Sequence, residues 1–76
     1  MHHLIYCTCP DRETAESIAG RLIAEKLAAC VNILPGVLSV YEWQGQIEIA
    51  QEHLLLIKSP PARYDAIEAA IKTLHP

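Results

Sequence analysis

The longest regular pattern in the chain is a pair of apolar, β-type segments between Cys30 and Ser59 that meet at Gln44-Gly45. The first segment is rich in β-branched and aromatic residues, which suit a pleated, half-buried surface. Because Gly45 tolerates the left-handed conformation of a tight turn, the pattern predicts a β-hairpin. The run Leu34-Pro35-Gly36 interrupts the first segment and predicts a bulge, since proline donates no ladder hydrogen bond.

Two further segments have the 3.6-residue period of amphipathic helices. The first follows Asp11, which is a predicted N-cap, and its apolar stripe extends from Ala15 to Leu27. The second follows Ser59-Pro60-Pro61, where Ser59 is predicted to cap a helix that tolerates proline in its first turn. Residues 1–9 form a predicted first strand that Pro10 ends.

The predicted order is strand, helix, strand, strand, helix. A right-handed crossover makes the first two strands parallel, and the continuously apolar run Leu54–Ile57 suits a third strand inserted between them. This is an α+β, ferredoxin-like βαββα sandwich without its last strand. Both helices would cover one face of the sheet, so we expect another subunit to cover the other face.

The missing strand would pair with the first strand, and its absence leaves Leu4-Ile5-Tyr6 on an open edge. Open apolar edges promote aggregation. We therefore expect the single domain 1–76 to be truncated at its C-terminal end.

Composition narrows the class of protein. A 76-residue chain with 51% apolar residues has little interior for them, which favours an oligomer, disulfides or a metal. Three cysteines cannot all pair internally, and no signal-peptide pattern is present, so we expect a reducing, cytoplasmic location. The net charge of −3 and the lack of a long apolar span argue against nucleic-acid and membrane partners.

Five separated runs resemble the CutA family of divalent cation tolerance proteins. They are Tyr6-Cys7-Thr8 with Pro10-Asp11, residues 25–33, Ser39-Val40-Tyr41 with Trp43 and Gly45, residues 55–58, and Leu74-His75-Pro76. The resemblance implies a ferredoxin-like subunit in a homotrimer similar to the PII signalling proteins. It also implies a role in tolerance of divalent metals, copper especially, and no defined enzymatic reaction. Family members continue past the His-Pro pair with a further strand, in agreement with a truncated chain.

The same resemblance indicates metal ligands. Cys7 matches the family cysteine proposed to bind copper, and His75 matches the histidine before proline. Thiolate and imidazole are suitable copper ligands. Cys9 shares a strand face with Cys7 at roughly 6.6 Å between Cα atoms, so it could add a second sulfur where some members carry a histidine at Leu74. The competing interpretation treats each cysteine as a small core residue, and for Cys30 we favour core packing over metal ligation.

Subunit contacts are expected at Tyr41, Trp43, Leu55 and Ile57. Lys58 precedes the second helix and is a possible anion site, although a solvated lysine is the default. This supports an alternative function, a PII-like ligand-sensing or scaffold trimer in which metal binding is incidental.

Glu42 and Glu48 are predicted to face one another across the turn, and His53 is interpreted as a strand-end or interface residue. A thiol enzyme based on Cys7 ranks last, because the chain has no recognisable nucleophile signature.

Overall fold

The computed structural model describes residues 2–74. The elements follow the predicted order: β1 (His3–Cys9), α1 (Arg12–Ala24), β2 (Cys30–Trp43), β3 (Gln46–Ser59), a 3₁₀ helix (Pro61–Arg63) and α2 (Tyr64–Leu74). The α+β prediction is confirmed.

The three strands form one sheet in the order β1-β3-β2, with both neighbouring pairs antiparallel. The central position of β3 confirms that the apolar third strand inserts between the other two. Ile57 pairs with Ile5 on one side and with Val31 on the other. Both helices pack on the same face of this sheet and contact each other. The buried apolar residues between these layers are Cys9, Ala15, Ile18, Leu22, Leu27, Ala28, Leu55, Ile57, Ile67 and Ala70.

The N-terminus of α1 is capped as predicted. The Thr14 amide donates a 2.7 Å hydrogen bond to Asp11 Oδ1. The helix ends at Ala24, before the predicted end at about Leu27 or Ala28, because Lys26 adopts a left-handed φ of 58°. The Leu27 amide then donates to the Leu22 carbonyl at 2.9 Å, which folds the Leu27 side chain back into the core.

The predicted cap of α2 is wrong. Ser59 is the last residue of β3, and its buried hydroxyl has no hydrogen-bond partner within residues 2–74. Pro60 occupies the cap position of the 3₁₀ helix instead and makes no side-chain capping bond. The Arg63 amide donates to the Pro60 carbonyl at 3.0 Å, so the 3₁₀ turn provides the entry to α2.

The hairpin turn is the predicted one. Gln44 and Gly45 have φ values of 51° and 77°, as a type I′ turn requires at both central positions. The predicted bulge lies between Leu34 and Val37, where the pairing with β3 shifts and Gly36 has a φ of 73°.

The predicted pairing of two carboxylates beside the turn is wrong. Glu42 pairs with Ile47, and Glu48 pairs with Tyr41. Directly opposed residues share a face and successive residues alternate, so Glu42 and Glu48 lie on opposite faces of the hairpin.

Candidate metal centre and subunit-contact surfaces

Cys7 and Cys9 project from the helix-facing side of β1, as their two-residue spacing predicts. Their environments differ. Cys9 is fully enclosed in the core, whereas Cys7 is half-buried. Cys7 is therefore the sulfur of this pair that a solute reaches first.

Both thiols are protonated at neutral pH. Burial raises the pKa of Cys7, and a hydrogen bond with Cys9 acts in the opposite direction. Burial raises the pKa of Cys9 to about 12, with further contributions from Cys7, Asp11 and Glu52. A metal ion that binds either sulfur must therefore displace a proton.

A groove of about 220 Å³ runs between β1 and α2, and Cys7 lies in its wall. Ile71 and Glu68 line the opposite side. Glu68 accepts a 3.4 Å hydrogen bond from the Tyr64 hydroxyl and lies 3.5 Å from Lys72 Nζ. The groove is thus apolar at Cys7 and bordered by a charged pair at the surface.

The third predicted ligand, His75, lies outside the described residues. Residues 2–74 contain no group of three or more His, Cys, Asp or Glu side chains that could hold a metal ion. The set of Cys7, Cys9 and His75 therefore stays a prediction.

A second pocket, of about 260 Å³, lies between α1 and the bulged part of the sheet. His53 lines it together with Pro35, Arg12 and Glu16, and Arg12 Nε lies 3.2 Å from Glu16 Oε2. His53 Nδ1 is buried and has no hydrogen-bond partner in the described part of the chain. The interpretation of His53 as a strand-end residue is wrong, because His53 lies inside β3 and its surroundings depend on how β3 pairs with both other strands. Its interpretation as an interface residue stays a prediction.

Side chains on the sheet face away from the helices form an open face. Tyr41 and Trp43 both lie on it and are 48% and 61% exposed, and the subunit contacts expected of them stay a prediction. Leu54 and Leu56 lie on the same face and are half-buried. The predicted contacts at Leu55 and Ile57 are wrong for their side chains, because both point under the helices and have no exposed surface.

The other face of the hairpin is also apolar beyond the end of the helices. Val40 pairs with Ile49 there, flanked by Leu38 and Ile47, and all four side chains are exposed. We call these four residues the hairpin strip. Contiguous exposed apolar side chains of this kind mark interaction surfaces.

Cys30 and Lys58 pair with each other at the far end of the open face. Cys30 is half-buried on this face and does not belong to the core between sheet and helices, which corrects its expected placement. Lys58 is exposed, and its carbonyl accepts a 2.8 Å hydrogen bond from the Ala29 amide. The helical turn that follows begins with two prolines, which have no amide protons to offer an anion, so the anion site at Lys58 stays a prediction.

Residues 3–76 match the family model described as CutA1 divalent ion tolerance protein. The chain is 43% identical over 76 residues to the divalent-cation tolerance protein CutA of Thermus thermophilus, and the match covers 100% of this chain and 74% of that protein. It is 44% identical over 72 residues to the protein CutA 1, chloroplastic, of Oryza sativa, and that match covers 95% of this chain and 41% of the rice protein.

Solved structures agree with these sequence relationships. The Thermus thermophilus structure, described as a divalent cation tolerance protein, has a TM-score of 0.95 over 100% of this chain and 74% of its own. A structure described as a periplasmic divalent cation tolerance protein CutA, from Archaeoglobus fulgidus, has a TM-score of 0.93 at 43% identity, over 99% of this chain and 72% of its own. Within residues 2–74, no helix is long and apolar enough to cross a membrane.

Proposed function

This chain belongs to the CutA1 family of divalent ion tolerance proteins, and from that membership we propose that it is a homotrimer that binds a divalent metal ion, copper above all. The observation that carries the metal proposal is the groove that Cys7 shares with α2. That helix ends at Leu74, immediately before His75 in the sequence. Cys7 thus belongs to one of the two elements that line the groove, and His75 directly follows the other element in the sequence.

Cys7 and His75 are the proposed principal ligands, with Cys9 as the third donor. Sulfur and imidazole nitrogen select copper over harder cations such as Mg²⁺ or Ca²⁺. Cys9 shares a strand face with Cys7 and has no exposed surface, so in this site the ion reaches Cys9 only through the groove at Cys7. Loss of a thiol proton on binding makes copper affinity increase with pH.

Native mass spectrometry with graded copper addition tests the ligand set. We expect Cys7→Ser and His75→Ala each to weaken copper binding by at least about 10-fold, as loss of a ligand does. Cys30→Ser is the matched control, since Cys30 is a half-buried thiol on the other face of the sheet. Unchanged copper affinity in both ligand variants would show that the proposed site is wrong.

The trimer proposal rests on apolar surface that one subunit leaves exposed. The open face carries Leu54, Leu56 and Trp43, and the hairpin strip adds a second apolar surface on the reverse side. Two such surfaces, on opposite faces of the sheet, suit an assembly in which other subunits contact both faces of the β2–β3 hairpin.

Light scattering coupled to gel filtration tests the assembly. We expect three chains per particle, and we expect Val40→Asp to dissociate them because it places a charge in the hairpin strip. Glu13→Lys, an exposed change at the start of α1, is the control for surface charge alone. A particle of one chain at micromolar concentration would contradict the proposal.

The alternative function is a ligand-sensing or scaffold trimer that uses Lys58 and binds metal only incidentally. A thermal-shift screen of nucleotides and small anions tests it, with Lys58→Ala as the control. A shift that Lys58→Ala abolishes supports sensing, and no shift with any compound counts against it.

We also propose a reducing, cytoplasmic location and no enzymatic activity, since all three thiols are free and the relatives are named as tolerance proteins.

A further inference from the structure

Cys9 and His53 lie directly opposite one another in the antiparallel ladder between β1 and β3. Residues paired in this way have Cβ atoms about 4.5–5.5 Å apart and project from the same face of the sheet. Here that face is the one beneath α1, because Cys9 belongs to the core and His53 lines a pocket with Arg12 and Glu16 of that helix. A thiol and an imidazole are therefore neighbours on the central part of the sheet.

The His53 ring has an unmet bonding requirement at this place. Nδ1 is buried and has no hydrogen-bond partner within residues 2–74. A buried polar atom left without a partner is unfavourable, and an ordered water or a bound ion is a common explanation. The soft ligand directly across the ladder is the Cys9 sulfur, which has no exposed surface.

Acidic residues flank the pair in the chain. Asp11 follows Cys9 by two residues, and Glu52 directly precedes His53 in β3. Arg12 in the pocket wall is paired with Glu16, so its positive charge is balanced. A cation bound to the Cys9 thiolate would be attracted by the carboxylates of Asp11 and Glu52.

An open pocket leads to His53. This pocket of about 260 Å³ lies between α1 and the bulge at Pro35. Bulges commonly lie beside functional sites because they redirect the strand locally. An ion that enters this pocket meets His53, and Cys9 is the residue paired with His53 across the ladder.

We propose that Cys9 Sγ and His53 Nδ1 bind one soft monovalent cation of the copper(I) type in two-coordinate geometry. This site shares only Cys9 with the divalent site proposed above, and when Cu(I) is bound Cys9 pairs with His53 and does not serve as the third donor beside Cys7 and His75. Two ligands satisfy copper(I), whereas structural zinc requires four, and residues 2–74 hold no group of three or more ligands. Binding forms the sulfur–copper and nitrogen–copper bonds and releases the Cys9 proton to solvent, with no change in oxidation state.

Anaerobic titration of the full chain with Cu(I), in competition with a chromogenic copper(I) chelator, tests the site. We expect Cys9→Ser and His53→Ala each to remove one Cu(I) per chain, with at least about 100-fold weaker binding at that site. The double variant Cys7→Ser/His75→Ala should retain this ion. Cys30→Ser and His3→Ala are the matched thiol and imidazole controls and should titrate as the unchanged protein does.

The outcomes separate this inference from the proposed divalent site. If His53→Ala binds Cu(I) as the unchanged protein does, the inference is wrong, whatever happens at Cys7. If Cys7→Ser/His75→Ala loses the ion together with Cys9→Ser, then Cys9 belongs to the Cys7 site and the inference is again wrong. The divalent site is tested independently with Cu(II) and the Cys7 and His75 variants.

X-ray absorption on the unchanged protein loaded with one Cu(I) per chain guards against variants that fail to fold. One sulfur and one imidazole nitrogen around copper are expected. Two sulfur ligands, or three or more ligands of any kind, would overturn the assignment. His53→Gln, which keeps a polar side chain of similar size, provides a second folded variant for comparison by circular dichroism.

Discussion

Leu55 and Leu56 are adjacent in β3, yet their side chains lie on opposite faces of the sheet. Leu55 is fully buried beneath the helices, whereas Leu56 is half-buried on the open face. Leu55 therefore stabilises the single subunit, and Leu56 is available for contact with another.

Alanine substitutions at these two positions should act differently. We expect Leu55→Ala to reduce the free energy of unfolding by about 2–5 kcal/mol, because it leaves a cavity in the core. Leu56→Ala should have a smaller effect that shrinks further as the protein is diluted, because the proposed subunit contact that it weakens adds stability only while the subunits are assembled. Urea unfolding at two protein concentrations roughly 50-fold apart resolves the two cases. An equal concentration dependence for both variants would contradict this assignment of faces.

Asp11 should make the stability of the protein depend on acid pH. The hydrogen bond from the Thr14 amide, followed by one from its side chain, lowers the pKa of Asp11. Stability from this cap is therefore present above the pKa of an unfolded aspartate and is lost as pH falls through the lowered folded pKa. We expect Asp11→Ala to lower the melting temperature by roughly 5 °C at pH 7.

Asp11→Asn is the control for this prediction, since it keeps a capping side chain without the charge. Its melting temperature at pH 7 should lie between those of the unchanged protein and Asp11→Ala. The gap between the unchanged protein and Asp11→Asn should close in acid, and a gap that persists unchanged would refute the role of the charge.

The hairpin turn should be sensitive to substitution of Gly45. A Cβ atom at Gly45 would meet no atom within 4 Å, so the cost of Gly45→Ala comes from its φ of 77° alone. We expect a loss of about 1–2 kcal/mol in the free energy of unfolding. Gln44→Asn should stabilise the turn slightly, because asparagine tolerates positive φ better than glutamine does.

Gly20→Ala is the matched control for Gly45→Ala. Gly20 lies inside α1, and a Cβ there also meets nothing within 4 Å, but its backbone is helical. We expect this change to increase the free energy of unfolding by about 0.5–1 kcal/mol. Urea unfolding measures both variants, and two changes of the same sign would show that backbone conformation does not control the outcome.

The three thiols should differ in reactivity. Cys9 is enclosed and its pKa is raised to about 12, so we expect it to react with iodoacetamide more slowly than Cys7 or Cys30 in mild alkali. Peptide mapping by mass spectrometry at timed intervals measures each rate. In guanidinium chloride the three rates should converge, and a fast Cys9 in the folded protein would contradict its enclosed position.

The same pKa predicts a loss of stability in alkali. The folded pKa of Cys9 lies above the ordinary value of 9.0, so the unfolded state ionises first as pH rises. The contribution of the neutral thiol is complete below pH 9 and is lost progressively between about pH 9 and 12. Cys9→Ala should unfold with a weaker dependence on pH across this range, which thermal melts at closely spaced pH values can measure. An unchanged pH dependence in Cys9→Ala would show that another group controls unfolding in alkali.

Local pattern was sufficient for most of the fold. The 3.6-residue period identified both helices, and apolar, β-type segments bounded by turn residues or proline identified all three strands. Asp11, Pro35-Gly36 and Gln44-Gly45 marked a cap, a bulge and a turn correctly. These features depend on steric and hydrogen-bonding preferences within a few neighbouring residues. The family resemblance likewise followed from short runs that keep their order along the chain, and the family match confirmed it.

Long-range packing decided what those patterns left open. The end of α1 at Ala24, the unpartnered Ser59 hydroxyl within residues 2–74 and the burial of Leu55 follow from how helix, turn and sheet fit together. The pairing of Cys9 with His53 joins residues 44 positions apart in the chain (53 − 9), and it exists only because β3 lies between β1 and β2 in one register. A shift of that register by one residue would move every side chain of β3 to the opposite face. Local sequence preferences cannot predict such a contact, because its energy arises between segments that approach each other only in the folded chain.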